Sequence, residues 1–413
     1  MFRPTPLVKE LYINPPRMIN SQDIVLPVSL GERVGQSPSP QALANRQDIV
    51  LPVSLGEALD KLTILDIKLQ KIQNAERRRD VETEYNVLMT SLKMYVNAFP
   101  YHYRILREVN LAIWEIQDRF HGKDTPAEEG ARLCREILLE NDRRFRVKAK
   151  INALANSALR EQKGYAVKRA FVYTHLGLGD MYWMNGAVRY LATAYDEVHV
   201  VCKKKYQVNA LAMYADDPSI KLFLIDDDAD LHPWPIRRHF FADQGFSVYS
   251  CGFFAPKPDK AIYELPYSFY DDMAIPRDIR TRYFHVPRTE EARKLADTFV
   301  GRPYVLVHQQ SSVKKLAIVS KLRAAGEKRL LLDLNENHYS VGDEEYKLAQ
   351  SVVNKPVLDY TYLLENAEEL HMIESSIYCL ASHLDLSKVG RRICYAPWGG
   401  NAERLGVFET GEV

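Results

Sequence analysis

A short glycine-containing loop is the feature of the sequence best suited to chemistry. The motif Gly177-Leu-Gly-Asp180 follows a strand-like apolar run and precedes a helical pattern. Glycines let the backbone come close to a ligand, and the N-terminus of the helix that follows offers N–H groups to a phosphate. The Asp180 carboxylate can take a proton from an attacking hydroxyl, or it can cap the helix. We therefore expect Gly177 and Gly179 to bind an anion, with Asp180 as a candidate general base.

Two polar stretches later in the chain have a related character. Glu374-Ser375-Ser376 precedes a helical run, and His308-Gln-Gln-Ser-Ser312 directly follows a strand-like run. Hydroxyls and backbone N–H groups at a helix start can hold a diphosphate, while a carboxylate can bond sugar hydroxyls. Each stretch can equally be structural, because serines cap helices and a histidine can be a core residue whose ring nitrogens are hydrogen-bonded within the protein. The candidate residues for binding a phosphate or its attached sugar are His308, Ser311, Ser312, Glu374, Ser375 and Ser376.

Two arginines and one acidic run complete the candidates. Arg280 and Arg282 are possible anion clamps, with surface solvation as the alternative. The run Asp226-Asp227-Asp228 has the letters of a metal-binding D-x-D motif, which keeps a metal-dependent enzyme as a minor alternative. The five cysteines show no C-x-x-C spacing. The sequence thus predicts no metal site.

Two regions with different periodicity must position these residues. From about Ser54 to Tyr165, apolar residues recur every three or four positions, which predicts a helical hairpin or bundle whose last helix runs from about Ala127 to Leu159. Beyond Gly164, short β-rich runs alternate with helical patterns, which predicts two Rossmann-like α/β halves. The predicted fold class is α plus α/β, with domains at 46–165, 166–290 and 291–413.

An exact repeat precedes the helical region. Residues 22–32 and 47–57 are identical, but only the second copy continues into a helical run, whereas the first is followed by a glycine- and proline-containing stretch. Repeat architectures need about three or more units to bury a shared core. We expect residues 1–45 to be a poorly ordered leader that holds a partial duplication, with a strand that uses both copies as the alternative.

Composition narrows the functional class. The net charge of +1 over 413 residues argues against nucleic-acid binding driven by bulk charge. No apolar run approaches the roughly 20 residues that span a bilayer, and free thiols suit a reducing compartment. The sequence predicts a cytoplasmic protein without a transmembrane segment, either free or peripheral at the inner face of the membrane.

The helical region resembles the bacterial domain-of-unknown-function family 6165. The resemblance rests on Pro52–Leu69, Val109-Asn110 with Trp114, Asn141–Arg144 and Lys163-Gly-Tyr165. It covers about Gln47 to Tyr165 and implies that the second repeat copy is the family's start, so that the first copy is surplus. The resemblance implies no established activity for this region.

The region from about Val167 onward is similar to compact GT-B glycosyltransferases, with the heptosyltransferase-like family 9 as the comparison. Leu178-Gly-Asp180 stands where that family has a loop ending in Gly-Asp, which implies that Asp180 is the general base of an inverting transfer. Glu374-Ser375-Ser376 occupies a position comparable to the donor motif, although His371 precedes Glu374 whereas the family's histidine lies within the motif.

Two hypotheses follow from the residues and the resemblance. The first is a transferase that uses a nucleotide sugar, no metal and no further cofactor, and acts on a polysaccharide or lipid-linked acceptor. The second is a non-catalytic sugar-nucleotide-binding scaffold, with the helical region as a homodimerisation or docking module. A nicotinamide-dependent oxidoreductase is disfavoured because Tyr182 replaces the third glycine of the dinucleotide fingerprint and Cys202–Lys205 supplies no ribose-binding acid.

Overall fold

The chain forms two compact units. The computed structural model describes residues 24–28, 49–120, 125–164, 166–173, 177–227, 230, 240–252, 264–395 and 405–411. Within these ranges, the helical unit extends to Val167 and includes Thr193–Asp196. The α/β unit comprises Lys168–Ala192 and the chain from Glu197 onward. Both α/β halves predicted from the sequence therefore lie in one unit.

Four long helices make up most of the helical unit. They are α1 (Leu55–Lys71), α2 (Ala75–Ala98), α3 (Pro100–Phe120) and α4 (Ala127–Leu154). Ser54 caps α1 as predicted, because its Oγ accepts a hydrogen bond from the Glu57 N–H at 3.3 Å. The predicted apolar seams are buried on α1 and α3, where Leu62, Leu106 and Val109 are at most 1% exposed. α4 ends five residues before the predicted Leu159, and Asn156 then adopts a left-handed φ of 49°.

A buried ion pair joins α1, α3 and α4. Asp60 on α1 is 2% exposed. The Arg144 guanidinium on α4 donates to both of its carboxylate oxygens, including an Nε to Oδ1 distance of 2.9 Å. The Asn110 amide on α3 donates to Asp60 Oδ1 and to Thr63 Oγ1, each at 2.8 Å. The hydrogen bond to Asp60 is the main reason that the pKa of Arg144 is raised. The Arg144 guanidinium therefore stays charged, and the Asp60 carboxylate is hydrogen-bonded from both α3 and α4.

The two repeat copies form one hairpin-like ribbon. Strands β1 (Ile24–Val28) and β2 (Ile49–Val53) pair antiparallel, with Ile24 opposite Val53 and Val28 opposite Ile49. The sequence Ile-Val-Leu-Pro-Val is β-rich apart from its proline, and a two-stranded ribbon tolerates a proline whose missing N–H faces solvent. Of the predicted leader, residues 24–28 lie in strand β1, and the rest lies outside the described residues.

The first α/β half contains a parallel sheet in the order β5-β4-β3-β6. Its strands are β3 (Arg169–Tyr173), β4 (Glu197–Lys203), β5 (Ile220–Ile225) and β6 (Phe246–Ser250). All three pairings are parallel. The strand order reverses at β3, which lies between β4 and β6. Buried β3 residues Phe171 and Tyr173 pack with Phe241 in an aromatic cluster at one face.

The second half contains a parallel sheet in the order β11-β10-β9-β7-β8. Its strands are β7 (Tyr304–His308), β8 (Leu330–Asp333), β9 (Glu369–Ile373), β10 (Arg391–Tyr395) and β11 (Glu409–Gly411). Here the order reverses between β7 and β9, as in doubly wound folds. The predicted class of a helical region followed by two parallel α/β halves is confirmed.

Short helices flank the two sheets, apart from the long α5 (Leu178–Ala194). The others are α6 (Gln207–Met213), α7 (Tyr267–Asp272), α8 (Ile279–Arg282), α9 (Glu290–Asp297), α10 (Ile318–Ala324), α11 (Tyr346–Ser351), α12 (Thr361–Asn366) and α13 (Ser376–Ala381). None of the helices in the described ranges combines the length and apolar character that a bilayer-spanning segment needs.

Candidate functional site

The glycine loop lies at the start of α5, at the carboxyl end of β3. Asp180 is the third residue of this helix and is half-buried. Its Oδ2 accepts a hydrogen bond from the Gly177 N–H at 2.8 Å, which is how an acidic residue in the first turn satisfies a backbone donor just before the helix. This bond fixes the direction of the carboxylate. Residues 174–176 of the same loop lie outside the described part of the chain.

Gly179 brings this loop against the start of α13 in the second half. A Cβ at position 179 would lie 3.0 Å from the Cys379 Sγ and 3.6 Å from the Ser376 Cα and N. A side chain would therefore push the two segments apart. The close approach places the predicted Gly177–Asp180 loop beside the predicted Glu374–Ser376 stretch, and this meeting could not be read from their separation in sequence.

The thiol of Cys379 is buried at this contact. Burial raises the pKa of Cys379 well above its usual value, and the negative charges of Glu374 and Asp180 raise it further. Glu374 and Asp180 are each half-buried, as are Ser375 and Ser376. The thiol is thus held protonated, and the two carboxylates share its surroundings.

His308 joins the same group from the end of β7. Its Nδ1 lies 3.1 Å from the Ser375 Oγ, and the same Oγ accepts the Tyr378 N–H at 3.3 Å to cap α13. His308 is 6% exposed, and burial lowers its pKa to about 4. The imidazole is therefore neutral at neutral pH and ties the end of β7 to the start of α13.

The position of this group follows a general rule for doubly wound sheets. Ligands bind outside the carboxyl ends of the strands at the point where the strand order reverses. The Gly177–Asp180 loop follows β3, the reversal point of the first sheet. His308 ends β7 and Ser375 follows β9, and these two strands flank the reversal point of the second sheet. The contact at Gly179 brings both reversal points together. We call Gly177, Gly179, Asp180, His308, Glu374, Ser375 and Ser376 the convergent cluster.

The two serines after β7 are not seen to join the cluster. Ser311 forms its own turn, in which its Oγ accepts the Lys314 N–H at 3.3 Å and its backbone N–H donates to the Lys314 carbonyl at 2.8 Å. Ser312 in the same turn is exposed. The structure shows no contact from either side chain to the cluster among the described residues.

The two arginines also differ from each other. Arg282 is exposed, with Asp278 at 3.8 Å. Arg280 is 6% exposed, and its Nη1 donates to the His383 Nε2 at 3.0 Å. His383 bonds the Cys379 carbonyl through Nδ1 at 2.8 Å, and burial lowers its pKa to about 3. Arg280 is therefore connected to α13 through His383.

Sequence reasoning missed a polar network at the ends of β7 and β8. Asp333 is 1% exposed, and its Oδ2 accepts the Gln309 amide N–H at 2.8 Å and lies 2.7 Å from the His338 Nε2. Asn335 Oδ1 accepts the N–H groups of Gln309 and Gln310. Burial raises the pKa of Asp333. An acidic residue that ends a strand-like run was the signal that could have identified it.

The acidic run after β5 is organised by hydrogen bonds. Asp230 Oδ2 accepts the N–H groups of Asp226 and Asp227, and Asp226 lies 2.7 Å from the Lys204 Nζ. Asp228 lies outside the described residues. Within the described ranges, no three His, Cys, Asp or Glu side chains gather as a metal site.

A cavity of the α/β unit lies away from the convergent cluster. It measures about 830 Å³ and is bordered by Arg293, Arg302, Tyr304 and Tyr362 at the amino end of β7. The convergent cluster lies at the carboxyl ends of the strands. We assign no chemistry to this cavity, because it gathers no buried polar groups from the predicted motifs.

Comparison with known proteins supports part of this description. Residues 49–173 match DUF6165, a family of unknown function. The match extends through the helices of the helical unit to β3. It agrees with the resemblance read from the sequence, including a start at the second repeat copy. None of the curated proteins compared with the chain matches it.

One solved structure shows similarity to a large part of the chain. It is the iron-containing dodecameric glycosyltransferase TibC from enterotoxigenic E. coli H10407, at 16% sequence identity and a TM-score of 0.35. The similarity covers 62% of this chain and 65% of that chain, which is less than two thirds of its length.

Proposed function

We propose that the α/β unit transfers a sugar from a nucleotide-activated donor to a hydroxyl of a polysaccharide or lipid-linked acceptor. The observation that carries this proposal is the meeting of the two reversal points at Gly179 and Ser376. Doubly wound sheets bind ligands at such points, and a transferase needs donor and acceptor groups held together. The resemblance of this region to GT-B glycosyltransferases supports the same assignment.

Each member of the convergent cluster has a role in the proposed reaction. Asp180 accepts the proton of the acceptor hydroxyl as its oxygen forms a bond to the anomeric carbon. The bond from that carbon to the nucleotide diphosphate breaks, and the diphosphate leaves with the bonding electrons. The backbone of Gly177 and Gly179, with His308, Ser375 and Ser376, lies where it can bond the phosphate oxygens. Glu374 is assigned to hydroxyls of the donor sugar or ribose.

The alternative is a protein that binds a nucleotide sugar without transferring it. The hydrogen bond from the Gly177 N–H to Asp180 favours this alternative, because it is also what a purely structural aspartate would make. Under this alternative the cluster binds the diphosphate but removes no proton.

Nucleotide binding can be tested by thermal denaturation of the full chain with nucleoside diphosphates and nucleotide sugars. A ligand that binds only the native state adds about 2.7 kcal/mol of stability at a hundredfold excess over its Kd. We expect a clear shift with one nucleotide class, reduced in Ser375→Ala and unchanged in Ser320→Ala, an exposed serine on α10. A cooperative transition that no nucleotide shifts would contradict the proposal.

A further inference from the structure

The helical unit contains a cavity of its own. It measures about 220 Å³ and lies between α4 and the segment that follows it. At ~30 Å³ for each water molecule, this volume corresponds to about seven waters. Ala149, Ala153 and the Phe145 ring supply its apolar lining, and Lys148, Asn152 and Arg160 supply hydrogen-bond donors. The cavity therefore has the mixed apolar and polar lining of a ligand site, at a volume smaller than that of a drug-sized pocket.

Asn152 is the buried polar group that points to a ligand. The residue is 3% exposed, and its Oδ1 accepts the Gly56 N–H at 2.7 Å. This bond fixes the amide orientation and leaves the NH2 group, which carries two donors. Among the residues that the structure describes, no partner is seen for this NH2 group, and Asn152 lines the cavity. An amide donor without a protein partner needs water or a ligand, and the cavity is where either can reach this one.

Lys148 adds a fixed cation beside Asn152. Its Nζ lies 2.5 Å from the Glu57 Oε1 and 3.1 Å from the Glu161 Oε2. Burial alone would lower the pKa of Lys148, but its hydrogen bonds to the two carboxylates outweigh burial, and the pKa is raised. Two of the three ammonium donors are used in these ion pairs. The group is held in place and stays charged.

The charges around the cavity balance. Lys148 and Arg160 contribute two positive charges, and Glu57 and Glu161 contribute two negative charges. The Lys163 Nζ lies 4.7 Å from the centre of the Phe145 ring and is paired with Asp142, which adds one charge of each sign. A site with no net charge does not attract an ionic ligand overall. A neutral ligand can still form hydrogen bonds with the donors and acceptors of the site. Glu161 and Gln162 supply acceptors at the cavity wall. A ligand with several hydroxyls and a compact apolar face matches both sets of groups.

We propose that this cavity binds a neutral, hydroxyl-bearing ring of about monosaccharide size. The Asn152 NH2 group and Lys148 donate to ring hydroxyls, Glu161 accepts from one, and the Phe145 side packs against the carbon face. The site is separate from the convergent cluster in sequence and in unit. The proposal does not depend on the transferase assignment.

Binding can be measured by saturation-transfer NMR on the full chain. The probes are free glucose, galactose, mannose and N-acetylglucosamine, with acetate as an anionic probe and choline as a cationic probe at matched ionic strength. We expect at least one neutral sugar to bind and the two ionic probes not to bind. Failure of all four sugars, or binding of acetate or choline in their place, would overturn the proposal.

Two variants assign the signal to this cavity. Asn152→Asp keeps an acceptor for the Gly56 N–H but replaces the NH2 donor with an oxygen, so we expect about a tenfold weaker affinity. Ala153→Leu fills the cavity without altering a polar group, and we expect loss of binding. Arg135→Ala, on the exposed face of α4, is the control that should bind as the wild type does.

The result is decisive even if one variant folds poorly. Melting curves identify an unfolded variant, and whichever of Asn152→Asp and Ala153→Leu is folded then answers the question. Sugar binding that persists unchanged in a folded Ala153→Leu variant would place the sugar elsewhere and reject the proposal. Nucleotide titration of the same proteins reports separately on the convergent cluster, so failure of one assignment is distinguishable from failure of the other.

Discussion

Two aspartates, one in each unit, show how burial and partners separate structure from chemistry. Asp60 in the helical unit is 2% exposed and accepts hydrogen bonds from Arg144 and Asn110. Asp180 in the α/β unit is half-buried and accepts one from the Gly177 backbone. The first carboxylate is enclosed by side chains that neutralise it. The second lies at a strand end where two sheets bring their polar loops together.

Asp60 and Asp180 show two different uses of a carboxylate. A fully bonded ion pair such as Asp60 with Arg144 fixes which helices pack together. Removing one partner leaves the other as a buried charge without a counter-ion. A carboxylate at the edge of a doubly wound sheet can still meet a substrate. Substitutions at these two kinds of site should therefore differ in their effect on stability.

The largest effect on stability is expected for Asp60→Ala. This change leaves Arg144 and Asn110 without their acceptor, and breaking a buried pair costs about 3 kcal/mol or more. The midpoint of chemical denaturation, followed by helical circular dichroism, measures the loss. Asp66→Ala is the matched control, because Asp66 pairs with Arg107 at a site where both side chains are about a quarter exposed.

For this control we expect a loss of about 1 kcal/mol or less, since partly exposed ion pairs contribute little. Equal losses in Asp60→Ala and Asp66→Ala would show that burial does not distinguish the two pairs.

A pH-dependent effect of similar size is expected from His308. Its pKa falls from 6.5 in the unfolded chain to about 4 in the folded protein because it is buried. The unfolded state therefore binds a proton more readily, and stability is lost as pH falls from 6.5 through 4. The full shift corresponds to roughly 3 kcal/mol.

His308→Asn should flatten this part of the stability profile. Comparing the slopes of wild type and variant removes the contribution of other titrating groups. Superimposable slopes would contradict the buried, neutral state assigned to His308.

Two glycines test close packing in the two units. A Cβ on Gly56 would lie 2.7 Å from the Lys148 backbone oxygen, whereas one on Gly179 would lie 3.0 Å from the Cys379 Sγ. We expect Gly56→Ala to cost about 2 to 3 kcal/mol and Gly179→Ala about 1 kcal/mol, because a backbone atom yields less easily. Gly130→Ala is the control, since its nearest neighbour would be at 3.5 Å.

Gly130→Ala should be neutral or stabilising by up to about 1 kcal/mol, as alanine favours a helix interior. Thermal denaturation of the three variants ranks their loss of stability. The packing argument fails if Gly56→Ala proves as stable as Gly130→Ala.

Much of the fold could be predicted from local patterns. The apolar seams on α1 and α3, the Ser54 cap and β3, β4 and β7 all follow from periodicity and turn chemistry. β6 and β9 were missed, because Phe-Ser-Val-Tyr-Ser lies in an aromatic-rich stretch and Glu-Leu-His-Met-Ile carries polar residues at alternate positions. These polar residues have local partners, since His371 lies 3.0 Å from Glu369 and 2.9 Å from the Tyr395 hydroxyl.

The site was only partly predictable for a different reason. Single residues such as Asp180 and Ser375 could be selected because they follow strand-like runs or precede helical ones. Their meeting depends on strand order in two sheets and on the absence of a side chain at Gly179, which act over about two hundred residues of chain. The pairing of Asp333 with Gln309 was missed because it depends on the same strand order.

We propose the convergent cluster as a transferase site with Asp180 as its base. The most direct measurement is donor binding and turnover in wild type and Asp180→Asn, using the nucleotide sugar that stabilises the protein. We expect Asp180→Asn to bind the donor normally and to lose about 10² to 10⁴ in turnover, because the amide cannot accept the acceptor proton. Near-normal turnover in Asp180→Asn would contradict the account, and normal binding with no turnover in either protein would favour the non-catalytic alternative.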